Sequence, residues 1–137
     1  MDNDNEKIII FIDGSNLYNV LKRLFKNEKK MFDFNFEKFI NKIVGERELV
    51  RTYYYTAPLD RKKDEVTYKK QQKFFENLKK IPNFKLVLCR MQKVKINEKI
   101  CYQVKEDDIH LAVDMVRLAY NNAYDTAIVT SRSLRKN

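Results

Sequence analysis

Glycine and proline are scarce in this sequence, two of each in 137 residues. With only Gly14 and Gly45, the chain can build neither a G-x-G-x-x-G dinucleotide turn nor a G-x-x-x-x-G-K phosphate loop. The same scarcity leaves no linker, and no internal repeat or low-complexity tract is present. Cys89 and Cys101 are not in C-x-x-C spacing, and His110 is the only histidine, which excludes a structural zinc site. The two thiols read as reduced side chains in or near the core. Long apolar runs are missing as well. A membrane span needs about 20 apolar residues, whereas the run Ile8 to Ile12 has five. The polar, acidic segment before it lacks the basic start of a signal peptide. The expectation is a cytoplasmic protein without a membrane partner. There is no G-x-S-x-G and no histidine near Asp13, so a nucleophilic side chain is not evident. A phosphatase with an aspartyl nucleophile would carry a second acid two residues after Asp13, where Ser15 stands.

What is present is charge. Lysine and arginine number 28 against 19 acids, for a net charge of +9. That balance favours polyanionic partners such as nucleic acid but does not bear on fold. The length permits a single domain over 1–137, large enough to bury roughly two thirds of its unfolded surface.

Strands and helices alternate along the chain. Lys7 to Ile12, closed by Asp13-Gly14, is an apolar run of the kind buried on both faces of a parallel sheet. Ser15 or Asn16 can cap the helix that follows, through Phe25. Asp33 or Asn35 can start a second helix, carrying Phe36, Phe39, Ile40 and Ile43, which Gly45 ends. Leu49 to Thr56 predicts a strand, Asp64 to Lys80 a basic helix, and Phe84 to Cys89 a strand. Residues 91–104 predict a hairpin centred on Asn97-Glu98. Asp108 to Asn121 predicts an apolar helix and Thr126 to Thr130 a fourth central strand. The alternation implies an α/β fold, a parallel sheet with helices on both faces.

Ligands of such sheets bind beyond the carboxyl ends of the strands, where Asp13 sits. On a wheel of about 100° per residue with Asp108 at zero, Leu111, Ala112, Met115 and Ala119 form an apolar, sheet-facing stripe centred on Asp108, and Asp114 falls on the polar side within reach of Arg117. An inward carboxylate needs a partner, and a divalent cation shared with Asp13 would be one. The plainer alternatives are an N-terminal helix acid for Asp108, a turn-forming Asp-Gly for Asp13 and a solvated ion pair for Asp114.

Phe11-Ile12-Asp13-Gly14-Ser15-Asn16-Leu17-Tyr18 resembles the opening motif of the NYN domain, a branch of the PIN-like nucleases. Lys105-Glu106-Asp107-Asp108-Ile109-His110-Leu111-Ala112-Val113-Asp114-Met115 resembles the family's K-G-x-D-x-x-L-A-x-D-M segment. Tyr124 to Ser131 resembles the strand that follows, and Tyr54-Tyr55 the second strand. The resemblance implies a PIN-like three-layer α/β/α fold with a mostly parallel sheet, and metal-dependent cleavage of RNA. It implies Asp13 and Asp108 as catalytic, metal-site carboxylates and Asn16 as a polar group orienting one of them or a bound water. Asp114 would support them. Mg2+ or Mn2+ is the implied cofactor, since both prefer oxygen ligands.

The family's fourth strand runs into S-G-D-S-D-F. Here Ser131 is followed by Arg132-Ser133-Leu134-Arg135-Lys136-Asn137, without either aspartate and without the last strand and helix of the usual fold. The chain therefore reads as a truncated or frameshifted form of a longer protein, with an impaired ribonuclease site. A catalytically inactive RNA-binding or protein-interaction module on the same fold is the alternative. RNA, single-stranded, is the expected partner, contacted by Arg61, Lys62, Lys69, Lys70 and Lys73 within a segment of net charge +4 from Asp60 to Lys80. Tyr68, Phe84 and Tyr102 are candidate stacking platforms, or core residues. A homodimer is compatible with these features.

Overall fold

The computed structural model describes residues 6–24, 34–57, 65–89, 91–104 and 107–130. Chain order is β1 (Lys7–Asp13), α1 (Gly14–Leu24), α2 (Phe36–Val44), β2 (Glu48–Thr56), α3 (Glu65–Lys79), β3 (Phe84–Leu88), β4 (Met91–Ile96), β5 (Lys99–Val104), α4 (Asp107–Tyr120) and β6 (Thr126–Thr130). Four strands form one sheet in the order β3-β2-β1-β6, parallel throughout, and β4 and β5 pair separately as an antiparallel hairpin. Asn97 and Glu98 both take positive φ at the tip of that hairpin, as a two-residue I′ turn requires.

β1 is central, and from Ile8 to Asp13 every residue is buried, the pattern expected of a strand covered on both faces. Its even-numbered side chains, Ile8, Ile10 and Ile12, pack with Leu21 of α1, Phe36, Ile40 and Val44 of α2, and Phe74, Phe75 and Leu78 of α3. Its odd-numbered side chains, Ile9 and Phe11, pack with Tyr53, Tyr55, Cys89 and Leu111 of α4. The layers are thus α1, α2 and α3 on one face, the sheet, and α4 on the other. Cys89 is a buried thiol, and no helix among the described residues is long and apolar enough to cross a membrane.

Local chemistry fixes the helix ends. The Asn35 side chain accepts the Lys38 N–H at 2.9 Å, and Gly45 closes α2 at φ 64°, where glycine has no Cβ penalty. Phe84, a candidate base platform, instead packs its ring against the buried Tyr54 with centroids 5.9 Å apart. It is a core-edge residue. The side chain of Tyr102 lies outside the described residues, as do Arg61, Lys62, Ser131 and the tail 132–137.

Candidate functional site

The carboxyl ends of β1 and β2 meet at Asp13 and Tyr55, which are register partners. Asp13 is 4% exposed. Its Oδ1 accepts the Asn16 backbone N–H at 3.2 Å, and its Oδ2 accepts the Asn16 side-chain amide at 2.7 Å. Asp13 is therefore itself the cap of α1, in place of Ser15 or Asn16, and the N-terminal end of the helix faces a buried carboxylate. The turn reading of Asp13-Gly14 is corrected in the same way, because the strand passes directly into helix. Gly14 is needed for space: a Cβ there would lie 2.3 Å from Tyr54 Cε1 and 2.7 Å from the Tyr55 carbonyl oxygen. The Tyr54 hydroxyl points at the Gly14 carbonyl at 3.4 Å.

α4 runs antiparallel to β1. Its last turn leads through Asn121 to Asp125, whose N–H donates to the Lys7 carbonyl at 2.9 Å, at the opposite end of β1 from Asp13. The Tyr124 hydroxyl closes the same corner by donating to the Met115 carbonyl at 2.8 Å. Helix and strand are each about 20 Å long, given 14 and 7 residues. The first turn of α4, with the backbone of Asp107 and Asp108, is thereby carried to the rim where Asp13 sits. The Asp108 side chain lies outside the described residues.

The side of α4 that meets the sheet differs from the wheel reading. Leu111 is buried, and Asp114, Met115 and Leu118 are half-buried, whereas Ala112 and Ala119 are exposed. The inward direction lies at about 290° on the wheel, with Asp108 about 70° to one side and Asp114 about 50° to the other. The wheel misplaces it because the outer face of this helix is also apolar, so hydrophobicity alone marks no single side. Asp114 does form the expected ion pair with Arg117, at 3.1 Å. It also turns toward the sheet, where its Oδ2 accepts the Tyr55 hydroxyl at 2.8 Å. Burial, followed by the hydrogen bond to the Asp114 carboxylate, pushes the Tyr55 phenol well above its ordinary range.

Tyr55 was not singled out from sequence as a tether. Its signal is positional: it stands two residues beyond Tyr53 on the α4 side of β2, level with Asp13. Phe11 stacks on Tyr53 at 5.6 Å, and Tyr53 on Tyr55 at 6.3 Å, forming an aromatic floor that fixes where the hydroxyl reaches. Thr130, at the carboxyl end of β6 opposite Ile12, has a buried hydroxyl without a hydrogen-bond partner among the described residues.

The basic helix α3 presents Lys69, Lys70 and Lys73 to solvent. Tyr68, Lys69, Gln72, Lys73 and Glu76 line a shallow groove of about 490 Å³ along it. Lys69 is 3.7 Å from Glu65, so the ridge is less positive than the lysine count suggests. Among the described residues, no three His, Cys, Asp or Glu side chains cluster as a metal site.

A search of the curated proteins finds no match. Among solved structures, a protein of unknown function from Vibrio parahaemolyticus has a similar fold, with a TM-score of 0.64 and 19% identity. The similarity covers 94% of this chain and 68% of that one. The model of the NYN domain, a family made up generally of nucleases acting on RNA, matches residues 7–135. That match spans nearly the whole sequence, including the Asp13 strand end, the α4 segment and β6, and the chain belongs to the NYN domain family.

Proposed function

We propose that this chain is a metal-dependent ribonuclease domain whose site lies at the Asp13 rim, with activity weakened by the residues after Ser131. The observation carrying the reading is a 4%-exposed carboxylate, Asp13, at the carboxyl end of the central strand. A buried carboxylate at a strand end is where a parallel sheet presents a ligand site.

The donors at this rim suit a hard divalent cation. Asp13 and Asn16 are oxygen and amide groups, with no thiol or imidazole between them, which fits magnesium or manganese. NYN domains generally use divalent metals. Asp13 and Asp108 would hold the ion. When bound, it would lower the pKa of an attacking water and offset charge on the phosphate. Asn16 holds the Asp13 carboxylate in one orientation through its own side chain and backbone. Asp114, engaged by Tyr55 and Arg117, fixes the helix against the sheet and does not contact the phosphate. RNA reaches the rim as a single strand, with Lys69, Lys70 and Lys73 on α3, and Arg61 and Lys62 before it, contributing sequence-independent attraction.

Residues 132–137, where the family carries two aspartates, have no carboxylate side chain, and slow cleavage is expected. The same feature favours a second reading, an RNA-binding or protein-interaction module without catalysis. Incubating labelled single-stranded RNA with the protein and Mn2+ separates the two. Slow cleavage that disappears with EDTA and with Asp13→Asn supports the nuclease. RNA binding without cleavage at any Mn2+ concentration refutes it.

A further inference from the structure

We infer that Tyr68 is the stacking platform of a nucleobase subsite on α3, where an unpaired base of single-stranded RNA lies on the ring while Lys73 meets a flanking phosphate. The inference rests on the RNA reading above and does not require cleavage at Asp13.

Tyr68, Gln72 and Glu76 stand four residues apart and form one row along α3, with Lys69 and Lys73 in a second row beside it. Together they line the groove of about 490 Å³, within the roughly 300–1,000 Å³ of ligand clefts. The buried Phe74 packs on Phe36 of α2 with ring centroids 5.6 Å apart. Tyr68 and Gln72 lie about 140° around the helix from Phe74. The groove therefore opens away from α2, on the flank of α3 toward β3. β3 is an edge strand, so among the described residues no further strand of the sheet obstructs that flank.

Position along the helix connects the groove to the Asp13 rim. α3 packs on β3 and passes into it through a short turn in which Asn83 takes positive φ. From Lys79 back to Tyr68 the helix rises about 17 Å, against about 13 Å for β3 from Phe84 to Leu88. Tyr68 is thus level with the carboxyl ends of the parallel strands, the end of the sheet that holds Asp13.

The groove side chains are also uncommitted. A half-buried tyrosine ordinarily engages its hydroxyl with a partner and its ring with the core. Tyr55 does both, through Asp114 and Tyr53. Tyr68 has neither a hydrogen bond nor an aromatic contact among the described residues, and Gln72 has no hydrogen bond there. Lys69 is held by Glu65 at 3.7 Å, whereas Lys73 forms no ion pair among the described residues. An open ring, an amide one turn away and an available cation match the face of a base, its polar edge and its phosphate. A base inside a duplex cannot reach such a ring, because the duplex presents its phosphates and minor groove. The subsite accordingly selects unpaired RNA.

The chain has no tryptophan, so Tyr68→Trp installs a single fluorescent reporter that keeps a stacking face. Single-stranded RNA of about 12 nucleotides, added in EDTA so that no cleavage occurs, should quench its emission. In anisotropy titrations of the 137-residue protein, Tyr68→Ala should weaken binding of that RNA at least about 5-fold, and Tyr68→Phe should stay within about 2-fold of the parent. Duplex RNA should bind the parent and both variants equally, a distinction that a purely structural tyrosine would not produce. Tyr68→Ala should leave the slope of log K against log salt unchanged, whereas Lys73→Gln should lower it by about 0.7. Circular dichroism confirms the fold of each variant. Single-stranded RNA bound equally by the parent and by folded Tyr68→Ala, or bound by Tyr68→Trp without quenching, overturns the subsite and leaves the RNA reading standing. No binding of either RNA by the parent overturns both. A Tyr68-dependent affinity in a protein that cleaves nothing when Mn2+ is supplied upholds the subsite and refutes only the nuclease reading.

Discussion

Replacing Tyr55 with phenylalanine removes one hydroxyl and leaves the shape of the floor beneath α4 unchanged. In the native protein that hydroxyl donates to Asp114 Oδ2 at 2.8 Å, and hydrogen bonds to charged acceptors contribute about 1.5–3 kcal/mol. The Asp114 side chain is 19% exposed and keeps its Arg117 partner, which lets water and the guanidinium take up part of the loss. Tyr55→Phe should therefore destabilise by about 1.5 kcal/mol, near the lower end of that range. A double-mutant cycle with Asp114→Asn, followed by urea unfolding, isolates the pair. The Tyr55–Asp114 coupling should exceed that of Arg117–Asp114, because Arg117 is 54% exposed and such surface pairs contribute at most about 1 kcal/mol. The pH dependence gives an independent check. Burial and the Asp114 carboxylate raise the folded-state pKa of Tyr55 above the ordinary tyrosine value of 10.0. The folded state thus holds its proton after the unfolded state has released it. The associated stability is complete below the unfolded tyrosine pKa and is lost as pH rises above it toward the folded value. Tyr55→Phe should flatten the fall in stability above about pH 10. A coupling below about 0.3 kcal/mol, with an unchanged alkaline slope, would refute the tether.

Gly14→Ala should be among the most damaging conservative changes. The added methyl would meet the Tyr54 ring at 2.3 Å and the Tyr55 carbonyl at 2.7 Å. Overpacking of this kind costs about 1–3 kcal/mol or more, which thermal melting would register, and an unshifted melting temperature would contradict the close approach. Replacing Lys69, Lys70 and Lys73 together by glutamine should weaken RNA binding and lower the slope of log K against log salt by about 2. An unchanged slope in fluorescence anisotropy would remove α3 from the RNA path.

Most of the fold was legible because its signals were local and mutually consistent. The uninterrupted Ile8–Ile12 run could only suit a doubly covered strand, and that strand is central. Asn35 bounds α2 through its side-chain oxygen and Gly45 through a positive φ that needs no Cβ. Asn97-Glu98 turns the hairpin through two positive φ angles. The errors arose where tertiary contacts decide. Ser15 and Asn16 are good caps, but the helix begins at Gly14, and Asp13 immediately before it receives both Asn16 donors. The orientation of α4 was hidden because this helix is apolar on two opposite sides. Hydrophobicity could not say which side meets the sheet, whereas the Tyr55 hydroxyl does. The pairing of residue 55 with residue 114 across 59 positions has no sequence signature of its own.

The nuclease account depends most on Asp13 and Asp108 jointly holding one divalent cation at the sheet rim. Electron paramagnetic resonance of Mn2+ titrated into the protein and into Asp13→Asn and Asp108→Asn, each verified as folded by circular dichroism, tests this directly. The account predicts one site in the parent and loss of bound Mn2+ in both variants, with affinity weakened at least about 10-fold in each. Undiminished Mn2+ binding in the folded Asp108→Asn protein, or no bound Mn2+ in the parent, would contradict it.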